Sequence, residues 1–134
     1  MYETNAPRVY VVREISADER TPELEATRLQ QLRAASRSGP VAVVLEVGSS
    51  GLLDPGLATF WMRALDDRDA DLAVLAVVTG SFPLRLATRA FAAHATLRHV
   101  PAEVRAHTSS DDAITWAAAA LQRAAAARRL ARMA

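Results

Sequence analysis

Residues Val43 to Leu65 read VVLEVGSSGLLDPGLATFWMRAL, and the fold is decided here. Apolar side chains follow one another without alternation up to Val47, the mark of a strand covered on both faces. Gly48-Ser49-Ser50-Gly51 then supplies turn residues. Asp54 precedes a helical pattern carrying Leu57, Phe60, Trp61, Met62 and Leu65. A strand, a short return and a helix opened by an acidic residue form one βα unit, and such units build α/β sheets.

The flanking sequence repeats the pattern. Arg8 to Ile15 is β-branched and aromatic, which predicts a strand. Thr21-Pro22 offers an N-cap followed by proline at the first helical position, and Leu24, Leu29 and Leu32 give an amphipathic helix to about Ser38. Gly39-Pro40 stops it, and Val41 to Val47 is the strand of the opening motif. The next helix runs to about Asp67. Leu72 to Thr79 is a second wholly apolar strand. Gly80-Ser81 ends it, Pro83 lies in the first turn of a helix to about Arg98, and Pro101 to His107 is a shorter, more polar strand. Ser109 or Ser110 caps a last helix over Asp111 to Arg132, with Asp111 and Asp112 well placed against its dipole. The expectation is an α/β fold: one domain with a four- or five-stranded, mostly parallel sheet and right-handed crossovers. Residues 1–7 are a tail or an edge strand.

These motifs resemble the STAS domain, the fold of anti-sigma-factor antagonists. That family runs an apolar strand into an acidic residue, then, five or six residues on, Asp-Ser-Ser/Thr-Gly-Leu and a helix. Glu46 matches the acidic residue and Asp54 the motif aspartate, with the spacing between them preserved. VAVVTGSFPLRLATRAF and VRAHTSSDDAITWAAAAL look like SpoIIAA-like members. The resemblance covers residues 8–121 and leaves 122–134 as a basic helical extension. It implies a regulatory or scaffold module, not an enzyme, that acts through a protein partner or a second copy of itself. Pro55-Gly56 stands where the family carries its phosphorylated Ser/Thr pair, so the usual phosphoswitch is missing.

Bulk properties set further bounds. A chain of 134 residues, 51% hydrophobic and 23% charged, is one domain with a real core. It has no cysteine, which removes disulfides and thiolate metal sites. The apolar runs are too short to cross a bilayer and no secretory leader is visible, so a cytoplasmic protein is expected. All 16 basic residues are arginine, which with the alanine content suits a GC-rich bacterial genome. Arg123, Arg128, Arg129 and Arg132 close a chain whose net charge is +1, so a mildly acidic body carries a basic arm. Near-neutral charge and the lack of a helix-turn-helix argue against nucleic acid.

Two polar turns are the candidate ligand or partner site: Gly48, Ser49, Ser50, Gly51 and Asp54 after one strand, and Thr79, Gly80 and Ser81 after the other. Strand carboxyl ends are where open α/β sheets bind ligands, so the alternative function is a sensor or carrier of a small apolar or anionic ligand. Leu57, Phe60, Trp61 and Met62 either fill the core or meet a partner, because they cover more than one stripe of their helix. Asp66, Asp67, Asp69 and Asp71 read as a solvated loop rather than a cation site. His94, His99 and His107 lack metal-ligand spacing, and no cofactor is expected.

Overall fold

A computed structural model of the chain describes residues 1–14, 20–48 and 55–134. The strands are β1 (Tyr2–Glu3), β2 (Val9–Arg13), β3 (Val41–Glu46), β4 (Leu72–Val78) and β5 (Glu103–His107). The helices are α1 (Pro22–Ala35), α2 (Pro55–Asp66), α3 (Phe82–Leu97) and α4 (Ser110–Met133), with a 3-10 turn over Ser36–Ser38. The five strands make one sheet in sequence order. β2 to β5 are parallel, and β1 adds an antiparallel edge through Tyr2 opposite Val11 and Glu3 opposite Tyr10. The N-terminal segment is therefore an edge strand, and the sheet has five strands rather than four.

Local chemistry places the helix starts, at Thr21 and Ser109 as the sequence predicts and at Ser81, which the sequence reading assigns to the preceding strand end. The side-chain oxygens of Thr21, Ser81 and Ser109 accept the amides of Leu24, Leu84 and Asp112, so each cap satisfies an N–H that the helix leaves free. α3 ends without glycine. His99 takes a left-handed conformation at φ 59°, and the Val100 amide reaches back to Ala95 O, closing the last turn and steering the chain to β5. Gly39, at φ 143°, lies under the Arg8 guanidinium. A Cβ there would come within 2.9 Å of Arg8 Nη1, and Arg8 itself hydrogen-bonds Ser38 O and Oγ.

The apolar run of β3 is buried from Val41 to Leu45, and that of β4 from Leu72 to Ala76. One face of the sheet packs Val12, Val43, Leu45 and Leu75 against Leu32 of α1, the aromatic side chains of α2, and Phe91 and Ala95 of α3. The other face, with Val9, Val11, Ala42, Val44 and Ala76, is covered by α4 alone. Here α4 buries Ala113, Ala117, Ala120 and Leu121. Alanine meeting alanine lets this one helix lie close to the strands. Ile114 and Ala118 pack only at the margin of this cluster.

The acidic loop after α2 does not simply face water. Asp66, closing α2, pairs with Arg98, the C-cap of α3; Asp67 pairs with Arg33 of α1, and Asp71 with Arg128 of α4. Arg128 brackets Asp71, with Nε and Nη2 at 2.7–3.0 Å from its oxygens, and also donates to Pro101 O. Arg33 holds the Asp67 carboxyl below the ordinary aspartate range, assisted by the Asp69 amide. Three helices from both faces of the sheet are thus tied to one loop. Among the described residues no group of acidic and histidine side chains could hold a metal ion.

The basic extension is therefore partly absorbed. α4 runs unbroken through residues 121 and 122, Arg123 pairs with Glu103, and Arg128 is locked to Asp71, while Arg129 and Arg132 are exposed. Arg128→Ala should destabilise the domain by about 1 kcal/mol, as a bidentate, half-exposed pair does, whereas Arg129→Ala and Arg132→Ala should change little. Urea unfolding of these variants and of Asp71→Ala, combined in a double-mutant cycle, measures the coupling. Loss of the Asp67 contribution should appear separately. Its carboxyl is depressed in the folded state, so that stability is whole above the unfolded pKa and disappears as pH falls through the lower folded value.

Candidate functional site

β3 and β4 are neighbours, with Glu46 opposite Val78, so the turns that follow them emerge side by side. This places Gly48 beside Thr79, Gly80 and Ser81. Ser49, Ser50, Gly51 and Asp54 lie outside the described residues. Thr79 is buried and its Oγ1 accepts the Ser81 amide at 3.1 Å, while Ser81 Oγ caps α3. The second turn is thus a structural hinge into α3, and its hydroxyls are committed to the backbone.

Next to this junction, α2 and α3 diverge over the sheet and leave an apolar cleft of about 250 Å³. Leu45, Val47, Leu75 and Val77 form its floor, Leu57, Ala58 and Trp61 one wall, and Leu84, Ala87, Thr88 and Phe91 the other. Spacing explains the walls: 57, 58 and 61 share one face of α2, and 84, 87, 88 and 91 share one face of α3. Ala58 and Ala87 leave the space that larger side chains would fill. Thr88 Oγ1 donates to Leu84 O at 2.8 Å, so the one hydroxyl that the described residues bring to the lining is satisfied internally. Trp61 is 2% exposed, packs edge-on against Phe60 at 5.1 Å, and its Nε1 is buried without an acceptor.

Of the two readings of α2, burial favours the core for Phe60, Trp61 and Met62; Leu57 is half-buried at the cleft. These side chains offer no free docking surface in the monomer. Their broad apolar arc is needed because α2 packs on the sheet with one side and against α3 with the next. Sequence reasoning did not single out Leu84, Ala87, Thr88 and Phe91, although their i, i+3, i+4, i+7 spacing was legible.

A polar cluster occupies the opposite side of the strand ends. Glu46 Oε2 accepts from Ser110 Oγ at 2.7 Å and Oε1 from Arg13 Nε at 3.2 Å. The Ser110 hydroxyl, chiefly, holds the Glu46 carboxyl below its ordinary range, which makes it a weak general base. His107 leans on Trp116 at 5.2 Å, and its Nε2 is buried without a partner. Burial lowers its pKa, Arg105 reinforces the shift, and Asp112 opposes it. The ring is neutral near pH 7. His94 sits in the last turn of α3 and His99 just beyond, so the three histidines do not converge.

Both shifts have a definite sign. The depressed Glu46 carboxyl supports the fold above its unfolded pKa, near 4.5, and that support falls away as pH drops through the folded value. His107 acts in a higher window. Between its folded pKa and the unfolded 6.5, the unfolded chain binds more protons, so stability rises with pH across that interval. Ser110→Ala should therefore raise the Glu46 pKa, and His107→Gln should flatten the stability profile just below pH 6.5, with the acid limb near pH 4 retained. Titration by NMR and urea midpoints against pH test the pair.

Comparison with known proteins adds no name: no family model, no curated protein and no solved structure matches the chain, so the cleft and the cluster stand on their own geometry.

Proposed function

We propose that this domain is a non-enzymatic sensor or carrier module for a small, uncharged, apolar ligand held between α2 and α3. The observation that carries this reading is the lining of the cleft, which is hydrocarbon almost throughout and lies at the strand ends where α/β sheets receive ligands. A charged group moved there from water would lose several kcal/mol of solvation, with no counter-ion among the described residues to replace it. This narrows the sequence-based alternative, an apolar or anionic ligand, to the apolar one. Among the described residues the lining supplies no acid, base or uncommitted nucleophile, which supports binding over chemistry. The cytoplasmic setting expected from sequence belongs to this proposal; no helix among the described residues is long and apolar enough to cross a membrane.

A second reading, the regulatory module acting by protein contact that the STAS resemblance implies, is favoured by a different observation. α3 exposes Phe82 and Leu86 to solvent, at 62% and 48%. The two readings use opposite faces of one helix and are compatible.

1-Octanol and octanoate distinguish the ligand class, because they share a chain and differ in charge. In a Trp116→Phe background, Trp61 emission reports the cleft. Octanol should shift the emission and raise Tm, and octanoate should bind at least about tenfold more weakly, given the cost of desolvating a carboxylate. Ala87→Phe should abolish the response by filling the cleft, with cooperative melting retained. Equal binding of the two probes, or an undiminished response in Ala87→Phe, would overturn the proposal.

A further inference from the structure

α3 carries two apolar faces. Leu84, Thr88, Phe91 and Ala95 turn inward, while Phe82, Leu86, Ala90, Ala93 and Leu97 follow one another at i, i+4, i+8, i+11 and i+15 on the opposite, exposed side. A surface helix ordinarily shows charge on that side. Here the exposed stripe is flanked by Arg85 and Arg89, and the helix contains no acidic residue. Arg85 stacks over Phe82 at 5.7 Å, and Arg89 makes no ion pair or hydrogen bond among the described residues.

Beside this stripe lies an open sheet edge. Among the described residues β5 pairs only with β4. His107 O accepts the Thr79 amide, so His107, Arg105 and Glu103 direct their backbone groups to β4. By the alternation of a parallel ladder, Val104 and Ala106 present theirs outward. Between that edge and α3 runs a groove of about 350 Å³, lined among others by Phe82, Leu86, Arg89, Val104, Arg105 and Ala106. No acid lines it, and the one acidic residue of β5, Glu103, is paired with Arg123.

We propose that this groove docks an extended, acidic segment of a partner protein, added as a sixth strand beside β5. Each part of the assignment has its own ground. The outward amides and carbonyls of Val104 and Ala106 call for a strand. Phe82 and Leu86 call for apolar side chains at alternate positions. Arg89, with Arg85 beside it, calls for carboxylates; Arg105 instead stacks over Trp116 on the α4 face. A second copy of the chain meeting α3 to α3 would set arginine against arginine, so charge selects a different partner. A flat anionic membrane would meet the stripe but leave the edge amides of the groove without acceptors.

Random short peptides displayed on phage, selected on the immobilised full chain, provide the probe. Enriched peptides should alternate apolar and acidic residues, and a synthetic copy should bind more weakly as salt rises. Leu86→Glu and Arg89→Glu should each weaken that peptide about tenfold or more, the range expected of central contacts, with unchanged circular dichroism and octanol response. N-methylation of the peptide at alternate amides should abolish binding in one register and spare it in the other. Amide shifts on binding should centre on Val104 and Ala106. No enrichment, peptides without acidic bias, indifference to both substitutions, equal effects of the two N-methylation registers, binding to phosphatidylglycerol vesicles in place of peptide, or dimerisation through α3 would each overturn the proposal. The octanol response, read in parallel, separates its failure from that of the ligand cleft.

Discussion

Two adjacent strands that cannot touch water govern this structure. Val41–Leu45 and Leu72–Ala76 are buried on both sides, so the sheet must be covered on both faces. Three helices cover one face and a single helix the other. The asymmetry explains the choice of side chains. α4 works alone and uses alanine to approach closely over β2 to β5. The opposite face has room for Trp61 and Phe60 and, where α2 and α3 part, for a cleft.

The second constraint is countercharge. Four aspartates within six residues would repel one another in isolation. Arg33, Arg98 and Arg128 reach three of them, from helices distant in sequence. The loop thus fixes the ends of α1, α3 and α4 relative to β4. The same pairing draws in the basic arm, half of whose arginines neutralise acids of the body. Arg129 and Arg132 of that arm stay exposed, and on α3 Arg85 and Arg89 have no acidic neighbour on their own helix.

α3 thereby acquires two roles from one sequence. Its inner face completes an apolar cleft, and its outer face borders the open edge of β5. A ligand seated under this helix and a segment docked against it would share the backbone of a single rigid element, whose entry is fixed by the Ser81 cap and the buried Thr79.

Much of the fold was legible because it is written in local periodicity. Uninterrupted apolar runs between Gly and Pro located β3 and β4. Thr21 and Ser109 marked helix starts through hydrogen bonds made within three residues. Such signals depend only on near neighbours along the chain. The strand order, the closing of the N-terminus as an edge strand, the partners of the four aspartates and the cleft were not legible, since each depends on residues brought together from tens of positions apart. Leu57 and Phe91 are both ordinary apolar residues on ordinary helices, and only packing tells whether they touch or enclose a space. Burial of Phe60, Trp61 and Met62 was undecidable for the same reason: periodicity shows how wide an apolar arc is, but whether water or another element meets it is decided by the tertiary structure.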